Sequence, residues 1–277
     1  MKYLFLLIAG YLLTRAVLPF CLKIMTGFGL TANNYQGKSV PMPAGLIPAT
    51  VFLFMVAIST IWFQSTVTWS IFAFCLILVC LGIADDLKGT SEHKGFRGHF
   101  KALFRGKITT GITKVAVGGL LALAAAWVLS EKRIDILAVN TLLIALSTNL
   151  INLMDLRPGR AIKIFLVMSL LLLWLGQCRE IHWLIPLTGS VLAYCPCDLR
   201  AKGMLGDTGA NLLGFVLGLA LVEVLGIQGK IVVLGFLLAV HFYAEKFSIS
   251  ALIEERPWLK YLDELGRPDY VGGDGAD

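Results

Sequence analysis

The chain has 277 residues, 57% hydrophobic and 15% charged, with a mean hydropathy of +0.78. Soluble domains carry about 25% charged residues, and no soluble core of this length needs so much apolar surface. The composition therefore excludes a soluble globular protein and indicates an integral membrane one. The net charge of +6 is small for a nucleic-acid binder, which excludes nucleic acid as a partner, and suits a protein on an anionic leaflet.

A membrane span needs about 20 predominantly apolar residues. By that measure the sequence predicts an all-α, polytopic fold of about nine transmembrane helices, near residues 3–22, 45–63, 67–84, 109–129, 135–153, 162–178, 181–196, 209–226 and 230–246. The first segment is too long for the apolar region of a signal peptide and lacks a small-residue cleavage site, so it is expected to be retained. The seventh is short, and Pro186 is placed to kink it. Cys195 and Cys197 lack companions for a zinc set and read as packing thiols. Beyond residue 246 the character changes. SISALIEERPWLKYLDELGRPDY mixes Ile249, Leu252, Trp258 and Leu262 with charges and is interrupted by Pro257. That pattern predicts a broken amphipathic segment in the membrane interface, and the terminal GGDGAD is expected to be disordered. The chain thus divides into a transmembrane region, 1–246, and an interfacial tail, 247–277.

Lys and Arg set the orientation. They concentrate in the loops after the odd-numbered segments, whereas the opposite side holds only Lys2, Lys132, Arg133, Arg179 and Lys230. The crowded side is predicted to be cytoplasmic, with the N-terminus outside, in a multi-pass cell-membrane protein.

The polar residues that apolar periodicity does not explain fall on that same side. Asp85 and Asp86 end the third segment in LGIADDLKG. Asn149, Asn152 and Asp155 follow at three-residue steps in STNLINLMDLRPGR, which places them on one helical face. Asp207 lies in MLGDTGAN before the eighth segment, Lys38 precedes the second, and Lys114 opens the fourth. Taken singly, each has an ordinary reading. The Asp pair fits a solvated helix end, Asn149 interhelical hydrogen bonding, GDTG a turn and N-cap, and the lysines the positive-inside bias. Their agreement on one side points instead to metal-assisted phosphoryl chemistry. Asp is a hard oxygen ligand suited to Mg²⁺, which usually takes one or two carboxylates plus substrate phosphates. One member of an adjacent carboxylate pair can keep a raised pKa suited to a general base. The glycines around Asp207 let backbone approach a phosphate at a helix N-terminus.

Four stretches, the Lys38 loop with PMPAG, ADDLK, NLINLMD and LGDTGANLLG, together resemble the polyprenyl-phosphate N-acetylhexosamine-1-phosphate transferase family (glycosyltransferase family 4), which includes phospho-N-acetylmuramoyl-pentapeptide transferase. The stretches run from residue 38 to 214 in the family's order. The resemblance implies transfer of an amino-sugar-1-phosphate from a UDP-sugar to undecaprenyl phosphate, with Mg²⁺, on the cytoplasmic leaflet. It implies Asp207 as the Mg²⁺ ligand and Asp85, with Asp86 beside it, as base or electrostatic partner of the lipid phosphate. Asn152 and Asp155, with Asn149, would line the nucleotide-phosphate site, and Lys38 and Lys114 would hold phosphate charge. The chain departs from the pattern in several places. Where the family reads Asp-Gly-x-Asp-Gly, it has Asp155, Leu156, Arg157, Pro158 and Gly159, so Pro158 replaces an Asp near the uridine while Arg157 and Arg160 add charge. CPCDLRAKGM replaces the polar residues that usually precede GDTG, with Asp198 as a substitute polar group. The family's His-rich or Arg-rich loop is absent. These departures favour a divergent member over the peptidoglycan precursor enzyme. The alternative is a non-catalytic membrane protein that binds lipid phosphate or recruits envelope enzymes. Homodimerisation is left open by the sequence.

Overall fold

The computed structural model describes residues 1–63, 66–88, 110–130, 133–176 and 180–268. Among the described residues the chain forms eleven helices and one short hairpin. In order these are α1 (Lys2–Gly27), β1 (Thr31–Asn33), β2 (Ser39–Pro41), α2 (Leu46–Phe63), α3 (Thr66–Lys88), α4 (Thr110–Leu129) and α5 (Ile134–Met154). Then follow α6 (Arg160–Leu175), α7 (Leu184–Leu199), α8 (Gly206–Val224), α9 (Ile227–Lys246), α10 (Ile249–Glu255) and α11 (Pro257–Glu264). The terminal GGDGAD and the loop carrying Lys94, Arg97 and Lys101 lie outside the described residues.

Each expected apolar segment coincides with one of α1 to α9. Five of these, α1, α3, α5, α8 and α9, are long and apolar enough to cross a membrane. Large apolar side chains face outward along them, as at Leu4 and Leu12 on α1 and Val232, Phe236 and Phe242 on α9. Such a surface is stable only against lipid or another apolar partner, and the chain is a membrane protein. Two expectations need correction. The antiparallel pair of β1 and β2, in register Ala32↔Val40, adds a small strand element to an otherwise helical fold. Pro186 lies in the first turn of α7, where its missing N–H would have no intrahelical partner anyway, so it starts that helix and does not kink it.

Helix α8 is the axis of the molecule. In its apolar window 78% of residues are buried, against 11–33% in the other four long helices. A helix surrounded on all sides must let its neighbours approach closely, and small residues allow this. Gly214 and Gly218 face α5, where an added methyl would sit 2.6 Å from Thr148 Cα and 2.6 Å from Ile144 Cα. From α3, Gly82 makes the matching approach. A methyl there would lie 2.5 Å from Thr208 Cα. These crossings set the distance between the end of α3 and the start of α8, which is where the polar residues gather.

Candidate active site

The end of α3 and the segments that follow α1, α5 and α7 converge on the N-terminus of α8. The first contact is between main chains. Met204 N–H donates to the Pro41 carbonyl at 2.9 Å, Ala44 N–H to the Met204 carbonyl at 2.8 Å, and Gly45 N–H to the Leu205 carbonyl at 3.0 Å. PMPAG and MLGDTG, separate in sequence, are thus zipped together. Gly45 permits this, because a methyl at its Cα would lie 2.4 Å from the Leu205 oxygen.

The second contact is made by Asp86. Its Oδ1 accepts the Asp207 N–H at 2.9 Å, and its Oδ2 accepts the Thr208 N–H at 2.9 Å and the Thr208 hydroxyl at 2.6 Å. The first N–H groups of a helix have no intrahelical acceptor and carry its positive end. Asp86 supplies a carboxylate there from another helix. Sequence reasoning assigned that N-terminus to a substrate phosphate, but the structure fills it with a side chain. Asp86 therefore organises the GDTG turn, and Asp85, the preceding residue of α3, lines the cavity beside it.

That cavity has a volume of about 470 Å³. Its acidic wall combines Asp85, Asp86, Asp155, Asp198 and Asp207, and Asn152 adds an amide. Asp155, in the capping turn of α5, is strongly perturbed. Burial, and then the charges of Asp198, Asp207 and Asp86, push its carboxyl well above the usual range, against the Gly206 N–H that it accepts. Asp198 is buried at the end of α7, and its Oδ2 accepts the Gly159 N–H at 2.6 Å. Gly159 has φ +76°, and a Cβ there would run into Leu199, so the turn needs glycine. Asn34 and Tyr35, from the hairpin loop, also line the cavity. The Arg157 guanidinium lies 5.1 Å from the Tyr35 ring centre, within cation–π range.

Of the residues predicted from sequence, the structure brings Asp85, Asp86, Asn152, Asp155 and Asp207 to one cavity. Asn149 sits one turn further into the bundle and outside its lining. Lys38 is exposed in the hairpin, its N–H donating to Asn34 Oδ1 at 3.0 Å. The Lys114 side chain lies outside the described residues. Sequence reasoning missed Asn34 and Tyr35 as lining groups, whereas Arg157, read from the sequence as an added charge beside the donor position, does line the cavity. Asp198 carried a signal, since a lone carboxylate in an apolar helix needs a partner.

Among the described residues, no three His, Cys, Asp or Glu side chains are grouped closely enough to hold a metal unaided. Mg²⁺ does not require such a set, because it completes its shell with water and substrate phosphate. A cation would relieve the repulsion that the charges of Asp198, Asp207 and Asp86 impose on Asp155, so the chemistry of this wall fits one. A family model described as Glycosyl transferase family 4 matches residues 68–225, more than half of the chain. Among curated proteins none matches.

Proposed function

The chain belongs to glycosyl transferase family 4, and from that premise we propose that it transfers an N-acetylamino-sugar-1-phosphate from a UDP-sugar to undecaprenyl phosphate. Membership supports a polyprenyl-phosphate sugar-phosphate transferase in general. The specific reading is carried by one observation. Four separate chain segments bring carboxylates to a cavity at the end of an apolar bundle, where a lipid's phosphate would lie. The nine apolar helices are read as nine spans with the N-terminus outside, which puts the cavity at the cytoplasmic face of the cell membrane.

In this reading the lipid phosphate oxygen attacks the sugar-bearing phosphorus of the donor. A bond forms between them, the bond to the uridine-bearing phosphate breaks, and UMP leaves with the electron pair. A phosphate monoester has a second pKa near 6, so the nucleophile is mostly ionised at neutral pH and needs little help from a base. Asp85 then positions the lipid phosphate and accepts any residual proton. Bound Mg²⁺ would neutralise charge on the donor pyrophosphate, held by Asp207 with Asp155 nearby. Asn152 offers the donor a neutral hydrogen-bonding group, and Lys38, exposed on the hairpin, offers phosphate a positive charge. Asp86 acts through the α8 N-terminus, keeping Asp207 in place.

The test is direct. Purified protein is incubated with undecaprenyl phosphate, Mg²⁺ and a panel of UDP-sugars, and UMP is measured. Release with at least one donor, abolished by EDTA, is expected. No nucleotide release across the panel would sink the catalytic reading in favour of a protein that only binds lipid phosphate.

A further inference from the structure

The C-terminal tail does more than follow the last helix. Its polar face is locked onto the loop that leaves α5. Arg160, at the start of α6, has a side chain only 5% exposed, and its partner Asp263 on α11 is 10% exposed. Their contact is bidentate, with Nε to Oδ1 at 2.8 Å and the second guanidinium nitrogen to Oδ2 at 3.0 Å. The remaining nitrogen of Arg160 donates to Ser250 Oγ on α10 at 3.0 Å. Arg267 closes the arrangement, 3.1 Å from Asp263 Oδ2, with its Nε donating to the Pro158 carbonyl at 2.7 Å. Lys163 Nζ donates to the carbonyls of Leu262, Asp263 and Leu265 at 2.8, 2.5 and 3.2 Å. A cation there matches the negative end of α11.

These contacts all fall on residues 158–163, which overlap at Pro158 with the part of the loop that lines the cavity. From the other side Asp198 holds the Gly159 N–H. The loop is therefore gripped between α7 and the tail. The two arginines of LRPGR divide their work. Arg160 turns into the tail, while Arg157 lies over Tyr35 at the cavity rim and reaches Glu254 of α10 at 3.4 Å. An exposed ion pair contributes little. A desolvated bidentate pair differs, because removing one partner leaves an uncompensated buried charge. Losing Asp263 would strand Arg160 at the foot of the loop, and the loop would have to move to rehydrate it.

We propose that the tail is a structural part of the site, in which Asp263 and Arg267 are positioning residues that hold loop 155–160 and thereby set Asp155 and Arg157 in the cavity wall. Calling that wall the donor side rests on the function proposed above. The grip itself does not.

The experiment uses the full-length protein in nanodiscs and compares Asp263→Ala, Asp263→Glu, Arg267→Gln and, as a control, Lys260→Gln, which removes only an exposed pair with Glu264. Hydrogen exchange is followed over 155–163 together with steady-state kinetics. Asp263→Ala should speed exchange in 155–163 about tenfold or more, as a local opening does. It should also raise the donor KM about tenfold, the scale of one lost hydrogen bond, while the lipid KM stays unchanged. Asp263→Glu should restore much of both, and Lys260→Gln should alter neither. If Asp263→Ala loses protection throughout the molecule, Arg267→Gln carries the same comparison with a smaller perturbation. Faster exchange confined to the tail, with 155–163 protected as in wild type, would overturn the inference. So would an opened loop with an unchanged donor KM. A wild-type protein without turnover would instead remove the proposed function, and the exchange measurement would still decide whether the tail holds the loop.

Discussion

Asp86 should behave as the cap of α8, and the consequences of its loss can be worked from the contacts it makes. Asp86→Ala removes the acceptor of two backbone N–H groups and one hydroxyl, the last belonging to Thr208, which is 0% exposed. A lost side-chain cap costs about 0.5–2 kcal/mol. Each buried donor left unsatisfied costs about 1–3 kcal/mol. These terms overlap because they describe the same groups. With three donors losing their acceptor together, the local cost is roughly 3 kcal/mol, about 1 kcal/mol for each donor. Opening of the first turn of α8 would then be roughly a hundredfold more frequent, since 1.4 kcal/mol is a factor of ten. Asp86→Asn keeps one acceptor and turns a donor toward the remaining N–H, so it should show the same effect at about tenfold. The assay is amide exchange at residues 207–210, with Asp85→Asn as comparison. Asp85 lies on the same helix end but does not cap α8, so its substitution should leave those amides protected while turnover falls. Wild-type protection of 207–210 in Asp86→Asn, together with abolished turnover, would refute the capping argument and make Asp86 a direct participant in the chemistry.

Gly82→Val should separate α3 from α8, because even a methyl there lies 2.5 Å from Thr208 Cα. A lower thermal midpoint and loss of the Asp86 cap by exchange are expected, at a cost of about 1–3 kcal/mol or more. Asp207→Asn should abolish Mg²⁺-dependent nucleotide affinity, whereas Asp85→Asn should spare affinity and lose turnover. Titration calorimetry with and without Mg²⁺ separates the two, and equal loss in both variants would mean a shared metal site. Asp155 gives a pH signature. Its native carboxyl is raised, so the folded state holds a proton that the unfolded chain releases above about pH 4. Its stabilising contribution is therefore complete below that pH and is lost as pH rises through the native value. In EDTA the thermal midpoint should fall over that window in wild type, and Asp155→Asn should flatten the fall. Asp263 has the opposite sign. Burial pushes its carboxyl up, but the Arg160 hydrogen bonds and the charges of Arg160 and Arg267 outweigh this and hold it below the usual range. Tail docking should persist above about pH 4 and be lost as pH falls through the depressed value, read as protease sensitivity of the tail.

The sequence by itself determined the membrane class, the positions of the apolar helices and the set of carboxylates worth watching. These are legible because they depend on local quantities. A span is a run of apolar residues, and a charge at its end is visible wherever the chain later goes. The pairing of Asp85 with Asp86 was visible in the same way, but their different uses were not. Which of the two meets α8 depends on how Gly82 seats α3 against Thr208, a distance set by two helices far apart in the chain. PMPAG and MLGDTG could be recognised as motifs, yet nothing local says that their backbones hydrogen-bond to one another. Asn149 and Asp155 share a helical face in the sequence pattern, but the cavity reaches only the last turn of α5, because the tight contact of Gly214 and Gly218 seals the bundle above it. The tail reads as amphipathic in the sequence, and in the structure its Trp258 and Leu262 are exposed. Its polar face found Arg160 and Lys163 only through folding. An ion pair between residues about a hundred positions apart has no periodicity to betray it, and tertiary structure alone decided that the end of the chain would brace the wall of the site.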